Sequence, residues 1–322
     1  MGRRVLITGV DGFTGRHLAA ALRGDPDLDV LGTGRRERPG ISPDAYRRCD
    51  LTVHEDVRSL VAWARPQVVY HLAGLRGGSE PLLHATNVTA FEWLRHELRA
   101  VAVATPLRML VVGSAAEIGP VPIDRLPVDE QVACRPMTAY GRSKHALVQS
   151  ALAEPVESGL DIVVARTFNL IGAGLDTTLA PAAFAAQVQA CRRGDARGIR
   201  CGWLGGKRDY LDIADAVDAY RLLVEHGRPR EIVNVCSGRL VRMGEILDML
   251  LAIAGVQAPV SAPTDPSPDD IHAISGSHAR LTALTGWQPR IDLAASLRTL
   301  LTAEHGPIDI FGPSSARIPD RH

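Results

Sequence analysis

The sequence predicts an α/β protein built on a doubly wound parallel sheet, with a smaller second lobe toward the C-terminal end. Three features carry that expectation. Short apolar runs alternate with helical patterns through residues 1–170, and each run is continuous in Val, Ile and Leu instead of alternating with polar residues. Continuous runs suit parallel strands, because crossover helices cover both faces of such a sheet. The first run also ends in a turn with glycines at 9, 12 and 15.

The elements follow in order. RVLITG (4–9) is the first strand, and the glycine turn leads into a helix over 14–23. DVLGTG (29–34), VVYHLAG (68–74), MLVVGS (109–114) and DIVVARTFN (161–169) are the next strands, separated by helical patterns at 55–64, 89–104 and 140–153. IVNVCS (232–237) is expected to join the same sheet. The expected organisation is a sheet domain over 1–170, rejoined by about 212–240, and a second lobe over 171–211 and 241–305. That lobe holds the Pro-rich loop APVSAPTDPSPDD (258–270), and a Gly/Pro-rich loose tail follows over 306–322.

Composition excludes several function classes. The 36 basic and 36 acidic residues leave no formal charge, so there is no footprint for nucleic acid or an anionic membrane. No apolar run reaches the roughly 20 residues that span a bilayer. MGRRVLITG passes straight into a strand, so no secretory signal is expected, and Leu6 breaks the myristoylation pattern that Met1-Gly2 begins. Five scattered cysteines without a CxxC pair point to reduced thiols and a cytoplasmic setting. Neither they nor the 11 histidines, which form no H-x-x-x-H or HExxH pair, suggest a metal. His71, inside a strand motif, reads as packed structure.

The turn TGVDGFTG has the spacing G-x-x-G-x-x-G. Gly9 would permit the tight turn, Gly12 would let backbone approach a pyrophosphate, and Gly15 would let the helix sit close to the sheet. The helix N–H groups then face the phosphates, the arrangement of a Rossmann dinucleotide site. The same three glycines would also serve a merely flexible turn. The second strand ends in GTGRRER, with Arg35 and Arg36 where NAD-preferring sites usually carry an acid. Guanidinium groups grip a 2′-phosphate through charge-assisted hydrogen bonds, which favours NADP(H) with NAD(H) as the alternative. A solvated basic loop is the other reading of these arginines.

In TAYGRSKHAL, Tyr140 and Lys144 stand four residues apart and share a helix face. An adjacent ammonium would lower a phenol that ordinarily titrates near about 10, making Tyr140 an acid–base group. Lys144 could also hold a ribose. Ser114, at the carboxyl end of the strand 109–114, stands where open α/β sheets bind ligands and could fix a substrate oxygen. A surface pair and a helix-capping serine are the structural alternatives.

These segments together resemble the extended short-chain dehydrogenase/reductase family over nearly the whole chain. TGVDGFTG resembles its cofactor turn, which implies cofactor contacts by Gly9, Asp11, Gly12, Phe13, Thr14 and Gly15. HLAG resembles its fourth-strand motif, adding Leu72, Ala73 and Gly74, and Asp50 and Leu51 would lie by the adenine. YGRSK resembles its Tyr-x-x-x-Lys motif, with Tyr140 and Lys144 beside the cofactor and Ser114 beside the substrate. RTFNLIGAG (166–174) resembles the segment that passes the nicotinamide, implicating Thr167 and, toward the substrate, Asn169. RDYLDIADAV (208–217) resembles the segment whose arginine grips a sugar-nucleotide diphosphate, implicating Arg208 and Asp209. Asn169 could equally cap a turn, and Arg208 with Asp209 could be a structural ion pair.

Within the nucleotide-sugar branch, RPMTAYGRSK, ARTFNLIGAG and VNVCSGRLVRMGEILDMLL resemble the reductases of GDP-linked 4-keto-6-deoxymannose. Three positions depart. Ser267 replaces an arginine expected to help hold the nucleotide, Ile118 precedes Gly119 where a tyrosine is usual, and LRGGSEPLLHATN (75–87) differs from the usual substrate-facing loop. These changes bear on base and sugar more than on reaction class. Removal of water would need an acidic pair after the serine, where Ala115 and Ala116 stand; Glu117 could substitute only by a shift of register. The expected function is therefore NADPH-dependent reduction of a nucleotide-linked 4-keto-6-deoxyhexose, with GDP favoured. An epimerase retaining NAD is the alternative within enzymes, and a non-catalytic dinucleotide sensor lies outside them. The resemblance further implies a homodimer through helices near 89–104 and 138–153.

Overall fold

A computed structural model describes residues 2–38, 41–103, 105–267 and 271–302. The expected tail and residues 268–270 of the Pro-rich loop lie outside the described residues. The chain opens with β1 (Arg3–Thr8), α1 (Phe13–Leu22), β2 (Leu28–Gly34), β3 (Tyr46–Arg48), α2 (His54–Ala64) and β4 (Val68–His71). A short α3 (Glu80–His84) continues through a π turn at Ala85–Thr89 into α4 (Ala90–Ala102), followed by β5 (Leu107–Val112), α5 (Ala139–Leu152) and β6 (Leu160–Thr167). The next elements are β7 (Asn169–Ile171), α6 (Ala180–Arg193), β8 (Ile199–Arg200), β9 (Lys207–Arg208), β10 (Tyr210–Asp212), α7 (Ile213–His226) and β11 (Ile232–Val235). The last are β12 (Val241–Arg242), α8 (Met243–Ala254), β13 (Val260–Ser261), β14 (Ala273–Ile274), α9 (Ala279–Thr285) and α10 (Leu293–Thr302).

The main sheet has seven strands in the order β11-β6-β5-β4-β1-β2-β3, all parallel. Both faces are covered, as the unbroken apolar runs require. Leu110 and Val163 join one core with Leu18 of α1 and Tyr220 and Leu223 of α7. Their neighbours Met109, Val111, Ile162 and Val164 turn the other way, onto Leu60 of α2, Phe91 and Leu94 of α4 and Leu147 of α5. A strand with apolar residues at every position thus serves two cores at once.

The strand order reverses between β1 and β4, which opens a crevice at their carboxyl ends. Open α/β sheets bind ligands at such a reversal, and the glycine turn, Leu72–Gly74 and Ser114 all follow strands at this edge. A third core joins Val188 of α6, Ile246 and Leu250 of α8 and Leu297 and Leu300 of α10 on the far side of the crevice. Small sheets β12-β9-β14, β10-β7 and β13-β8 accompany it. The run expected as one strand over 161–169 divides into β6 and β7, because buried Phe168 sends the chain across toward β10. Among the described residues no helix is long and apolar enough to cross a membrane.

Candidate active site

The glycine turn is built for close approach. Gly9 has φ +68°, and a Cβ there would lie 2.8 Å from Ala73 Cα. A Cβ on Gly15 would lie 2.3 Å from Gly9 O, so only glycine lets α1 begin directly over the turn. Gly12 caps α1 with extended backbone and no side-chain acceptor, and no acid occupies the first turn, which begins with Phe13 and Thr14. The N–H groups there are free to meet an anion, favoured further by the helix dipole. The cradle therefore fits a dinucleotide pyrophosphate.

Asp11 faces away from that duty. Arg38 donates to its Oδ1 from Nε at 2.8 Å and lies 2.7 Å away through Nη2, while Tyr46 Oη donates to Oδ2 at 3.1 Å. Burial, then the Asp11 charge, pushes the Tyr46 phenol well above its ordinary value. Arg38 belongs to the same RRER run as Arg35 and Arg36, but its pairing with Asp11 has no sequence spacing to announce it. The backbone of Arg35 and Arg36 is tied down, with Arg48 Nε donating to Arg35 O at 3.2 Å and Tyr46 Oη to Arg36 O at 2.7 Å. Both side chains stay exposed at the carboxyl end of β2. Arg35 also acts on Asp50. Burial raises that carboxyl, but hydrogen bonds from Thr52 and the charges of Arg35 and Arg48 bring it below its ordinary value. Leu51 packs against the core under α2 and α4.

Beyond β4, Ala73 N donates to Thr8 Oγ1 at 3.3 Å, and the same hydroxyl meets His71 Nδ1 at 3.0 Å. Burial drives His71 down to about 3, helped by the Lys144 charge, so it is a neutral packed ring. Gly74 lies against Asn87, whose amide brackets Leu75 N and O at 2.8 and 2.9 Å and donates to Ser143 Oγ at 2.9 Å. That bracket ties the loop after β4 to α5.

Helix α5 positions the remaining groups. Thr138 caps it, accepting from Gly141 N at 3.0 Å. A Cβ on Gly141 would lie 2.3 Å from Ala116 O, so this glycine lets α5 press onto the turn after β5. Tyr140 thereby hydrogen-bonds the Ser114 side chain. Tyr140 itself lines a cavity of about 320 Å³, together with Arg76, Ala116, Met137 and Ile271. Lys144, one turn further on, is buried and donates Nζ to Val112 O at 2.5 Å. Burial lowers its ammonium to about 8, against the opposing pull of the Glu117 carboxylate.

One expectation fails here. The Tyr140 phenol is raised, by burial first, with the Ser114 hydrogen bond and the Arg76 charge acting the other way. Lys144 does not lower it, because its ammonium is turned down onto β5. Glu117 is the residue the sequence undervalued. It is fully buried, accepts from Ser114 N at 2.5 Å, and lies 3.7 Å from Arg166 Nε. It needs no shift of register, since it supports the serine from behind while the methyl of Ala116 faces the cavity. Ile118 is buried with Val128, Phe168, Cys236 and Ile274, which accounts for an apolar residue at that position.

Two further residues of the predicted set have side chains already engaged within the protein. Asp209 is fully buried, accepting from Ser237 N and Oγ at 2.8 and 2.6 Å, Gly238 N at 2.9 Å and Gly276 N at 3.2 Å. Its carboxylate oxygens are thus engaged in anchoring the backbone of residues 237, 238 and 276. Asp209→Ala is expected to cost about 3 kcal/mol or more of stability through its orphaned donors, measurable as a lower urea midpoint. The Thr167 hydroxyl is likewise occupied, by Ala165 O at 3.3 Å and Tyr220 Oη at 2.8 Å, and belongs to the core behind the cofactor side. Asn169 Nδ2 donates to Asp209 O at 3.0 Å, locking β7 to the β9–β10 connection. Arg208 Nη1 donates to Ile271 O at 2.6 Å and Lys207 O at 3.0 Å, leaving its position at the second lobe defined by backbone.

Comparison with known proteins places this geometry. The GDP-6-deoxy-D-mannose reductase of Pseudomonas aeruginosa is 30% identical over 308 residues, covering 94% of this chain and 97% of that protein. The dTDP-6-deoxy-L-talose 4-dehydrogenase (NAD(P)(+)) of Kitasatospora kifunensis is 28% identical over 310 residues, covering 94% and 95%. The solved structure of RMD from Pseudomonas aeruginosa complexed with NADPH matches with a TM-score of 0.82 at 29% identity, covering 93% and 97%. A model of the NAD dependent epimerase/dehydratase family matches residues 5–236, a span that runs from β1 through β11 and takes in the glycine turn, Ser114, Tyr140 and Lys144. The chain belongs to that family, in its extended short-chain dehydrogenase/reductase form.

Proposed function

We propose that this protein reduces the 4-keto group of a nucleotide-linked 6-deoxyhexose, with GDP as the favoured nucleotide, at the expense of NADPH. The observation that carries the proposal is the Ser114–Tyr140 pair, hydrogen-bonded beside a cavity that Tyr140 lines, with Lys144 one helical turn further on. The cofactor, when bound along the glycine turn, supplies a hydride. Tyr140, whose phenol burial raises further above its ordinary value, would give its proton to the ketone oxygen. Ser114 Oγ would hold that oxygen as charge develops on it, an arrangement that stabilises the transition state more than the ground state. Water removal is disfavoured, since the positions after the serine carry the methyls of Ala115 and Ala116. The two relatives named above, a reductase and a 4-dehydrogenase of 6-deoxysugar nucleotides, support the same chemistry in opposite directions.

The test is NADPH oxidation by purified protein, with GDP-4-keto-6-deoxymannose generated in place by a separate dehydratase and NADH run alongside. Turnover that depends on the keto sugar supports the proposal. No turnover, with NAD found tightly held by untreated protein, would replace it with epimerisation. Cofactor preference has its own check. Replacing Arg35 and Arg36 together with alanine is expected to raise the KM for NADPH by about tenfold to a hundredfold, the loss of one charge-assisted hydrogen bond or more, while the KM for NADH stays unchanged. Equal effects on both cofactors would rule out a 2′-phosphate role.

A further inference from the structure

The sequence has no metal-binding spacing, yet the fold assembles a donor set between the start of α2 and α4. His54 opens α2, and His96 with Glu97 lies on α4. Their ligand atoms all lie within 4.8 Å of one another. We propose that His54, His96 and Glu97 bind one divalent transition-metal ion of the zinc type, joining the start of α2 to α4.

Several independent features support a built site. His54 Nε2 stands 2.7 Å from Glu97 Oε1, and the His54 ring is held flat against Trp93 with centroids 4.2 Å apart and planes at 17°. Stacking fixes the direction in which the imidazole nitrogen points, so two of the three ligands are preorganised. Glu97 has a side chain only 15% exposed, which removes most competition from solvent for its oxygens. His96 is exposed, which supplies an entry path and leaves room for water to complete the coordination. A tetrahedral zinc ion about 2 Å from each donor holds neighbouring ligands roughly 3.3 Å apart, so the mobile His96 ring is the one that closes in. Two imidazoles and one carboxylate suit zinc, nickel, cobalt or copper over magnesium or calcium. Arg58 Nε lies 3.8 Å from Glu97, but its guanidinium is drawn to Glu55 at 3.0 Å.

A second cluster shows what disqualifies such a set. Glu117, Cys134 and His145 also bring ligand atoms within 4.8 Å of one another. There Arg166 lies 3.7 Å from Glu117 and donates to Cys134 Sγ at 3.5 Å. A buried guanidinium already supplies the cation, and a metal ion beside it would be repelled.

Titration calorimetry on tag-free, chelator-treated protein with zinc or nickel chloride, and magnesium chloride as control, tests the site. One equivalent of zinc or nickel is expected to bind, magnesium is not, and nickel should quench the Trp93 contribution to fluorescence. At a hundredfold excess over Kd the ion is expected to raise Tm by roughly 4 °C. His54→Ala and His96→Ala, the second of which touches no packed core, should each weaken binding by about 100-fold or more, beyond the usual effect of losing an outer-shell partner. Absence of binding to the unaltered protein would overturn the proposal. So would undiminished binding by both variants, which would hand the ion to the cysteines.

Discussion

Tyr140→Phe is expected to lower kcat of the keto-sugar reduction by about 10²–10⁴ while leaving NADPH affinity unchanged. Phenylalanine keeps the ring in the cavity and removes the one proton positioned to reach the ketone oxygen, and general acid catalysis is worth about that range. Ser114 Oγ would remain, but its own hydrogen bond to the phenol would be lost. Single-turnover kinetics at saturating NADPH separate this from a binding defect, because hydride transfer itself slows. Wild-type turnover in the variant would remove Tyr140 from the mechanism, and a rise in the NADPH Kd without a slower hydride step would make it a binding residue.

Glu117→Leu is expected to lose about 3–5 kcal/mol of stability, the usual consequence of leaving one member of a buried ion pair alone. Arg166 is 2% exposed, and the substitution strips its guanidinium of the carboxylate that lies 3.7 Å away. Ser114 N loses its acceptor at the same time, so residual activity should fall as well. Glu117→Gln also removes the charge but keeps an oxygen for that N–H and a similar volume, so its cost should be smaller by the share owed to the lost acceptor and packing. The pH dependence has a definite sign. Burial pushes the Glu117 carboxyl up from 4.5 to about 7, against the Arg166 charge, so the folded chain holds a proton that the unfolded chain has released. The stability contributed by that proton is full below about pH 4.5 and is lost as pH rises through about 7. Urea unfolding across that window should show wild-type stability falling relative to the Gln variant. Parallel curves would show that the group does not titrate there.

Much of the candidate site's geometry was legible because it is local. A spacing of four residues places Tyr140 and Lys144 on one face of α5, and glycines three apart announce a tight turn before a helix. What failed was electrostatic. The expected Lys144–Tyr140 coupling depends on where a long side chain settles, and Val112 O on a neighbouring strand captured the ammonium. The internal bonding of Asp209 was hidden for a related reason. Its four donors come from residues 237, 238 and 276, remote in sequence, so nothing near it marked the carboxylate as already occupied. The paired strands of two or three residues outside the main sheet carry no periodicity to detect. They exist because distant segments lie edge to edge.

By itself the sequence determined the parallel sheet, the order of its main strands and helices and the glycine turn, and it proposed the Ser114, Tyr140 and Lys144 set. Each of these follows from burial pattern, backbone permissiveness or helical spacing, which act within a few residues. Tertiary structure alone decided which polar groups pair with which: Arg38 with Asp11, Glu117 with Ser114 N, Thr167 with Tyr220, and His54 with Glu97. Those outcomes turn on burial and, Glu117 apart, on partners tens of residues away, and only packing brings such groups within hydrogen-bonding distance.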